Sequence, residues 1–262
     1  MTLRFSQALQ YSPLGGGGID GGAGYLLEIA VFNIQSALIA AAAGADRIEL
    51  CENAADGGTT PSYGNLKVAK EKISIPIFPI IRPRGGDFFY TDDEFRIMQK
   101  DIELCKQLGF EGVVIGLLNI DGTIDIDRTR RLVDLAYPME VTFHRAFDRS
   151  NDAFKSLEDI INCGCQRILT SGQVPNAVDG KDLIKKLIEQ ADEKIIIMPG
   201  SGVRACNIMK IAEYTGASEL HSSAQNNISS PMKFLNESMM EKLENISVDA
   251  DEVKKMKEAF AS

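Results

Sequence analysis

Short apolar runs alternate along this chain with longer segments whose apolar residues recur every three or four positions. Tyr25 to Val31, Arg47 to Cys51, Ile77 to Arg82, Val113 to Ile115, Val141 to His144, Arg167 to Ser171, Ile195 to Met198 and Glu219 to His221 read as eight strands. Helical periodicity fills the gaps: Ile34 to Gly44, Ser62 to Lys72, Thr91 to Gly109, Asp127 to Ala136, Asp152 to Asn162, Lys181 to Gln190 and Arg204 to Tyr214, with Asp249 to Phe260 closing the chain. Thr91-Asp92-Asp93-Glu94 is a capping box, and Phe95, Met98, Ile102 and Cys105 then line one helix face. Strands separated by helices run parallel, because each crossover returns the chain to the same end. Eight such units predict a single-domain (β/α)8 TIM barrel over residues 25–262. An open doubly wound sheet is the alternative. It is disfavoured because no Gly-x-Gly-x-x-Gly turn follows strand one and polar residues end nearly every strand.

Those polar residues define the candidate site. Alternate strand side chains share a face. On strand one, Leu27, Ile29 and Val31 form the wholly apolar set that suits the helices, so Glu28 points into the barrel with Ala30. The same alternation turns Glu49, Cys51, Arg82, Thr142, His144 and His221 inward. Glu28, Glu49, Arg82, His144 and His221 therefore form the candidate catalytic set, with Arg84, Asp87, Arg145, Asp148 and Ser171 close by as anion-binding candidates. A charge-paired layer that only closes the barrel is the competing explanation, yet five such residues at the C-terminal face of this fold favour a site. Arg82 is the expected partner that keeps the two glutamates ionised, and Arg84 the cation that meets an incoming anion. Acid–base work by a glutamate and a histidine is open, and so is divalent metal binding by the same four residues. Lysine is absent from every strand end, which excludes a Schiff base there.

Pro199-Gly200-Ser201-Gly202 follows strand seven and His221-Ser222-Ser223 follows strand eight. In a barrel these two loops commonly hold phosphate through backbone amides. Gly200, Ser201, Gly202, Ser222 and Ser223 are thus further anion-site candidates. A tight turn needing positive φ at the glycines would explain the first loop equally well.

Composition narrows the partners. The 262 residues carry a net charge of −9, with no basic run, so nucleic acid is not an expected partner, and no segment is long and apolar enough to span a membrane. Five cysteines without a disulfide framework point to reduced thiols in the cytoplasm. Cys163-Gly164-Cys165 could chelate a soft ion but falls at the barrel floor, where packing explains it better; Cys105 and Cys206 read as core, leaving Cys51 as the thiol at the mouth. Residues 1–24, with Gly15 to Gly18 and Gly21-Gly22-Ala23-Gly24, are too glycine-rich for a packed core and read as a flexible lead or a remnant of cloning.

Several longer stretches carry a resemblance. Glu-Leu-Cys at 49–51, Gly-Gly-Thr-Thr-Pro-Ser at 57–62, Ile-Arg-Pro-Arg-Gly-Gly-Asp-Phe at 81–88, Val-Thr-Phe-His-Arg-Ala-Phe-Asp at 141–148, Leu-Thr-Ser-Gly at 169–172 and His-Ser-Ser-Ala at 221–224 resemble the CutC family. The resemblance implies a (β/α)8 barrel, a homodimer, a cytoplasmic location and a role in copper homeostasis with copper(I) as the ion bound. It also implies two mouth cysteines for that ion. The second matches Cys51; the first falls on Ala30. The alternative function is an enzyme acting on a small anionic, phosphorylated metabolite.

Overall fold

In the computed structural model, which describes residues 24–241 and 243–261, the apolar runs become parallel strands joined by helices. The expected glycine-rich lead lies, apart from Gly24, outside the described residues. The order is β1 (Leu26–Val31), α1 (Ile34–Ala42), β2 (Arg47–Leu50), α2 (Tyr63–Lys72), β3 (Ile77–Pro79), α3 (Asp92–Leu108), β4 (Gly112–Ile115) and α4 (Ile126–Ala136). It continues with β5 (Glu140–Phe143), α5 (Ala153–Cys163), β6 (Arg167–Thr170), α6 (Ala177–Ala191), β7 (Ile196–Pro199), α7 (Ile208–Thr215), β8 (Glu219–Ser222), β9 (Gln225–Ser229), β10 (Glu244–Val248) and α8 (Ala250–Ala259).

The first eight strands form two parallel four-stranded sheets, ordered β3-β2-β1-β8 and β4-β5-β6-β7. A bridge between Ile80 and Val114 joins them at one seam, where the Ile81 amide donates to the Val114 carbonyl over 2.8 Å. At the other seam β7 packs beside β8. This is a single-domain TIM-like α/β fold, as the alternation of strand and helix predicts. The main apolar core lies between strands and helices, with Leu27, Ile29, Ile48, Leu50, Val113 and Leu220 all buried. All of these but Val113, whose facing the pattern leaves open, are outward-facing positions that alternation gives to the helices.

Local chemistry explains the boundaries. The Thr91 hydroxyl accepts from the Glu94 amide at 3.2 Å, and the Glu94 carboxylate accepts from the Thr91 amide at 2.7 Å, so both halves of the capping box form. Gly109 ends α3 at φ 76°, a left-handed conformation that costs glycine little. Two helices start away from their expected positions. α6 begins at Ala177 because Asn176 caps it, its side chain accepting from the Asp179 amide. α7 begins at Ile208, since the Asn207 side chain instead accepts from the Arg204 amide at 2.8 Å and folds residues 204–207 into a turn.

One element has no counterpart in the sequence pattern. β9 and β10 form an antiparallel hairpin after β8, with Gln225 paired to Val248 and Ser229 to Glu244. Its strands are largely polar and exposed, so no apolar alternation marks them. It is tied to the barrel where the Asn33 side chain donates to the Ile246 carbonyl at 2.9 Å.

The capping box gives a direct check of helix energetics. Thr91→Ala is expected to lower stability by about 1 kcal/mol, measured by urea denaturation.

Candidate functional site

Strand register decides which charges meet. Glu28 lies opposite Arg47 on one side and His221 on the other. Its carboxylate, fully buried, is bound by the Arg47 guanidinium and lies 2.8 Å from His221 Nδ1. Arg47 also reaches Glu219 at 2.5 Å. Arg167 bridges Glu219 at 3.1 Å and Glu140 at 2.7 Å. Both guanidinium groups stack on the Phe78 ring, at 5.1 and 5.3 Å from its centroid. Burial alone would raise the Glu28 pKa, but the Arg47 charge and the His221 hydrogen bond outweigh it and hold the carboxyl well below the usual range.

Arg47 therefore takes, for Glu28 but not for Glu49, the role expected of Arg82. Arg82 follows the end of β3 and turns to the loops. It donates to the carbonyls of Asp56 (2.6 Å), Gly58 (2.7 Å) and Gly86 (3.1 Å), and its guanidinium lies 5.0 Å from the Phe88 ring centroid. It forms no ion pair with Glu28 or Glu49.

Above Glu28 is a cavity of about 320 Å³ at the barrel mouth. Glu49, Cys51, Arg82, His144 and His221 all line it, and Ala30 stands in the same wall. His221 Nε2 is 3.7 Å from Glu49, so the imidazole sits between two carboxylates. Burial opposes its charging, but the hydrogen bond to Glu28 and the charge of Glu49 outweigh this and raise its pKa. Glu49 lacks an arginine partner. Burial pushes its carboxyl up to about 7, with His221 opposing and Glu28 adding to the rise. Burial, and next the Glu49 carboxylate, push the Cys51 thiol well above its ordinary value. Gly200 is essential to this packing, because a Cβ there would lie 2.4 Å from Leu169 and 3.1 Å from the His221 ring.

His144 is set apart from His221. It packs on Phe88 with ring centroids 4.9 Å apart, and it occupies space that only a glycine at 116 leaves free, a Cβ there falling 2.3 Å from the imidazole. Burial, and next the charge of Arg82, lower its pKa to about 3, so the ring is neutral at ordinary pH. Its Nδ1 accepts from the Ala146 amide at 3.1 Å. The ring hydrogen is then on Nε2, which is buried and has no partner among the described residues.

The other expected residues separate into two groups. Arg84 and Asp87 lie off the cavity. Arg84 is held by Glu94 at 2.6 Å, Asp87 at 2.9 Å and the Phe89 carbonyl at 2.8 Å. Its charge is neutralised within its own loop, which corrects the expectation that it meets an anion. Asp148 is an organiser of loops: it accepts from the Thr170 hydroxyl (2.5 Å), the Ser171 and Gln173 amides and Arg145 (2.8 Å), while Arg145 also donates to Ser171. Arg145 alone of these three reaches the cavity wall. Ser201, Gly202, Ser222 and Ser223 line it as well. Ser201 (φ 76°) and Gly202 (φ 73°) are both left-handed, so the turn explanation applies to residues that also face the cavity.

Sequence reasoning passed over Arg47, Arg167, Glu219 and Glu140, although the alternation that turned Glu49 and His221 inward does the same for Arg47 and Glu219. It also missed Arg204 and Gln225 in the cavity wall, since residues 204–207 read as helix and Gln225 is the first residue of the unexpected hairpin. Cys206 is exposed, not core, because it lies in the turn before α7; Cys105, Cys163 and Cys165 are buried as expected. Glu28, Glu49, His144 and His221 do not converge as a metal site. Glu28 is committed to Arg47 and His221, and among the described residues no three His, Cys, Asp or Glu side chains are arranged to hold a metal ion.

Comparison with known proteins places this chain. The model of the CutC family matches residues 25–226. This chain belongs to the CutC family. It is 47% identical over 216 residues to the copper homeostasis protein cutC homolog of Homo sapiens, covering 82% of this chain and 79% of that protein. It is 49% identical over 237 residues to a family protein CutC of Parabacteroides distasonis, covering 87% of this chain and 98% of that one. A solved CutC structure from Streptococcus agalactiae superposes with a TM-score of 0.72 at 36% identity, over 76% of this chain and 98% of its own. A structure described as QR15, an aldolase, shares the fold alone, at 13% identity and a TM-score of 0.59 over 75% of this chain and 89% of its own.

Two predictions follow from the buried charges of this CutC barrel. Arg47→Met leaves the buried Glu28 with His221 as its remaining partner and Glu219 with Arg167, and is expected to cost about 3–5 kcal/mol in chemical denaturation. His144 has its folded pKa below its unfolded one. The unfolded chain therefore binds the extra proton between about pH 3 and 6.5, and stability is lost as the pH falls through that window. Replacing it by glutamine removes this loss. The stability gap between wild type and His144→Gln should narrow by up to about 1.4 kcal/mol per pH unit below pH 6, followed by urea melts at several pH values.

Proposed function

We propose that this chain serves copper homeostasis, with copper(I) as its cargo. The observation that carries this reading is membership of the CutC family together with a cysteine, Cys51, in the wall of the barrel-mouth cavity. A cytoplasmic location and a homodimer, both implied by the family resemblance, belong to the same reading. Among the described residues no helix is long and apolar enough to cross a membrane.

The donors at the mouth do not fit a two-thiolate copper(I) cage. Copper(I) favours soft ligands and binds well between two of them. Here Cys51 has Ala30 in the same wall, on the adjoining strand β1, where a second thiol would be needed, and its thiol holds its proton firmly. Cys163 and Cys165 are buried elsewhere and do not line the cavity. Cys51 therefore offers copper(I) a single soft donor, and the contact is weak and readily released.

Competition against a copper(I) chelator tests this on reduced protein. Wild type is expected to bind one weakly held ion and Cys51→Ser none. Ala30→Cys, which adds a second thiol to the same wall, should tighten binding by at least about tenfold. Equal binding by wild type and Cys51→Ser would remove copper from this site.

A further inference from the structure

The cavity wall carries more hydrogen-bond donors than the protein itself satisfies. His144 presents an Nε2–H with no acceptor, although the residue is only 4% exposed. Arg82 Nε is buried and makes no well-aligned hydrogen bond, although the Tyr90 hydroxyl lies beside the guanidinium. Unsatisfied buried donors are rare in folded proteins and point to a missing acceptor. The loops after β7 and β8 add to this surplus. The amides of Ser201, Gly202, Val203 and Ser223 have no hydrogen-bond acceptor among the described residues, and these residues line the same cavity. Arg204 lines it too. Among the described residues its guanidinium makes one hydrogen bond, a long contact with the Gln225 carbonyl at 3.4 Å, and no ion pair with a carboxylate.

We propose that this cavity binds a small phosphate monoester, its phosphate held by the β7 and β8 loops with Arg204, and an oxygen of its carbon skeleton held by His144. A phosphate supplies several strong acceptor oxygens to one place, which a single carboxylate does not. Successive amides beside a guanidinium are an established way to receive such a group. The volume, about 320 Å³, limits the ligand to the size of a triose or pentose phosphate. Phe32, Ile80 and Phe88 in the wall suit its carbon face. Glu49 is the carboxylate of the wall among the described residues, and burial raises its pKa to about 7, which lessens its repulsion of an anion near neutral pH. The Ser222 hydroxyl donates to the Val203 carbonyl at 2.7 Å and locks the two loops together, so the amides are fixed before any ligand arrives. Copper plays no part in the inference, and it stands or falls apart from the role of Cys51.

Calorimetric titration with inorganic phosphate, glycerol 3-phosphate and glycerol tests it on the full chain. Both phosphates should bind saturably, glycerol 3-phosphate more tightly than inorganic phosphate, and glycerol not at all. Arg204→Gln, in a surface loop, should weaken both phosphates about tenfold or more, as loss of a charge-assisted hydrogen bond implies. His144→Gln should weaken glycerol 3-phosphate while leaving inorganic phosphate unchanged. If His144→Gln does not fold, His144→Asn, with the same expected outcome, takes its place. Absence of saturable binding in wild type, or affinity unchanged in Arg204→Gln, overturns the site. Binding of inorganic phosphate as tightly as of glycerol 3-phosphate overturns the monoester assignment.

Discussion

An ionised carboxylate with no access to water lies at the centre of this barrel, and much of the interior is arranged around it. An isolated buried charge of this kind would cost several kcal/mol. Glu28 escapes that cost because the parallel register of β1 with β2 sets Arg47 directly beside it. Arg47 in turn needs Glu219, and Arg167 shares Glu219 with Glu140. The charges thus alternate in sign across the barrel floor, from β1 and β2 to β8, β6 and β5. Phe78 from β3 lies beneath both guanidinium groups and supplies a face where further carboxylates are absent. The barrel interior is held by a chain of ion pairs whose members come from strands far apart in sequence.

That chain also sets the chemistry of the mouth. Glu28 and Glu49 are both buried glutamates on neighbouring strands, yet their environments push them in opposite directions. Glu28 has a guanidinium against it; Glu49, one layer nearer the mouth, has only the His221 ring. Because Glu28 accepts from His221 Nδ1, the other nitrogen of that ring is turned toward Glu49 and the cavity. The orientation of His221 at the mouth is therefore a consequence of ion pairing at the floor. Gly200 completes the arrangement, since a side chain there, just past β7, would collide with Leu169 and crowd the ring.

The order of strands and the inward set were legible because both rest on periodicity. Glu28, Glu49, His144 and His221 were found by asking which face of a strand was wholly apolar, and the cavity wall or its base holds all four. Partnership was not legible. Arg82 and Arg47 both sit near strand ends, and nothing local shows that one lies opposite Glu28 while the other continues past β3 to bind loop carbonyls. Register comes from the pairing of distant segments, and a single sequence does not display it. Arg84 shows the same limit: its true partner, Glu94, was already recognised as half of a capping box, but its second oxygen was free to accept from a loop arginine. The hairpin of β9 and β10 escaped notice for another reason. Its strands bury little, so there is no apolar alternation to read.

The contents of the mouth bear on what the cavity can receive. A soft cation needs soft donors, and one protonated thiol beside an alanine is a meagre set. The same wall offers the neutral N–H of His144, the Nε of Arg82, a run of amides and the guanidinium of Arg204. Every one of these is a donor, and two, Arg82 and Arg204, are cationic. Such a surface repels a metal ion and attracts oxygen lone pairs. The preference does not depend on the identity of any one residue, because it is carried by backbone as much as by side chains. A substitution that restored a second thiol would change the copper chemistry of Cys51 and leave the surplus of donors where it is. The two readings of this cavity therefore rest on different walls: the β1 and β2 ends for copper, the β5, β7 and β8 ends for an oxyanion.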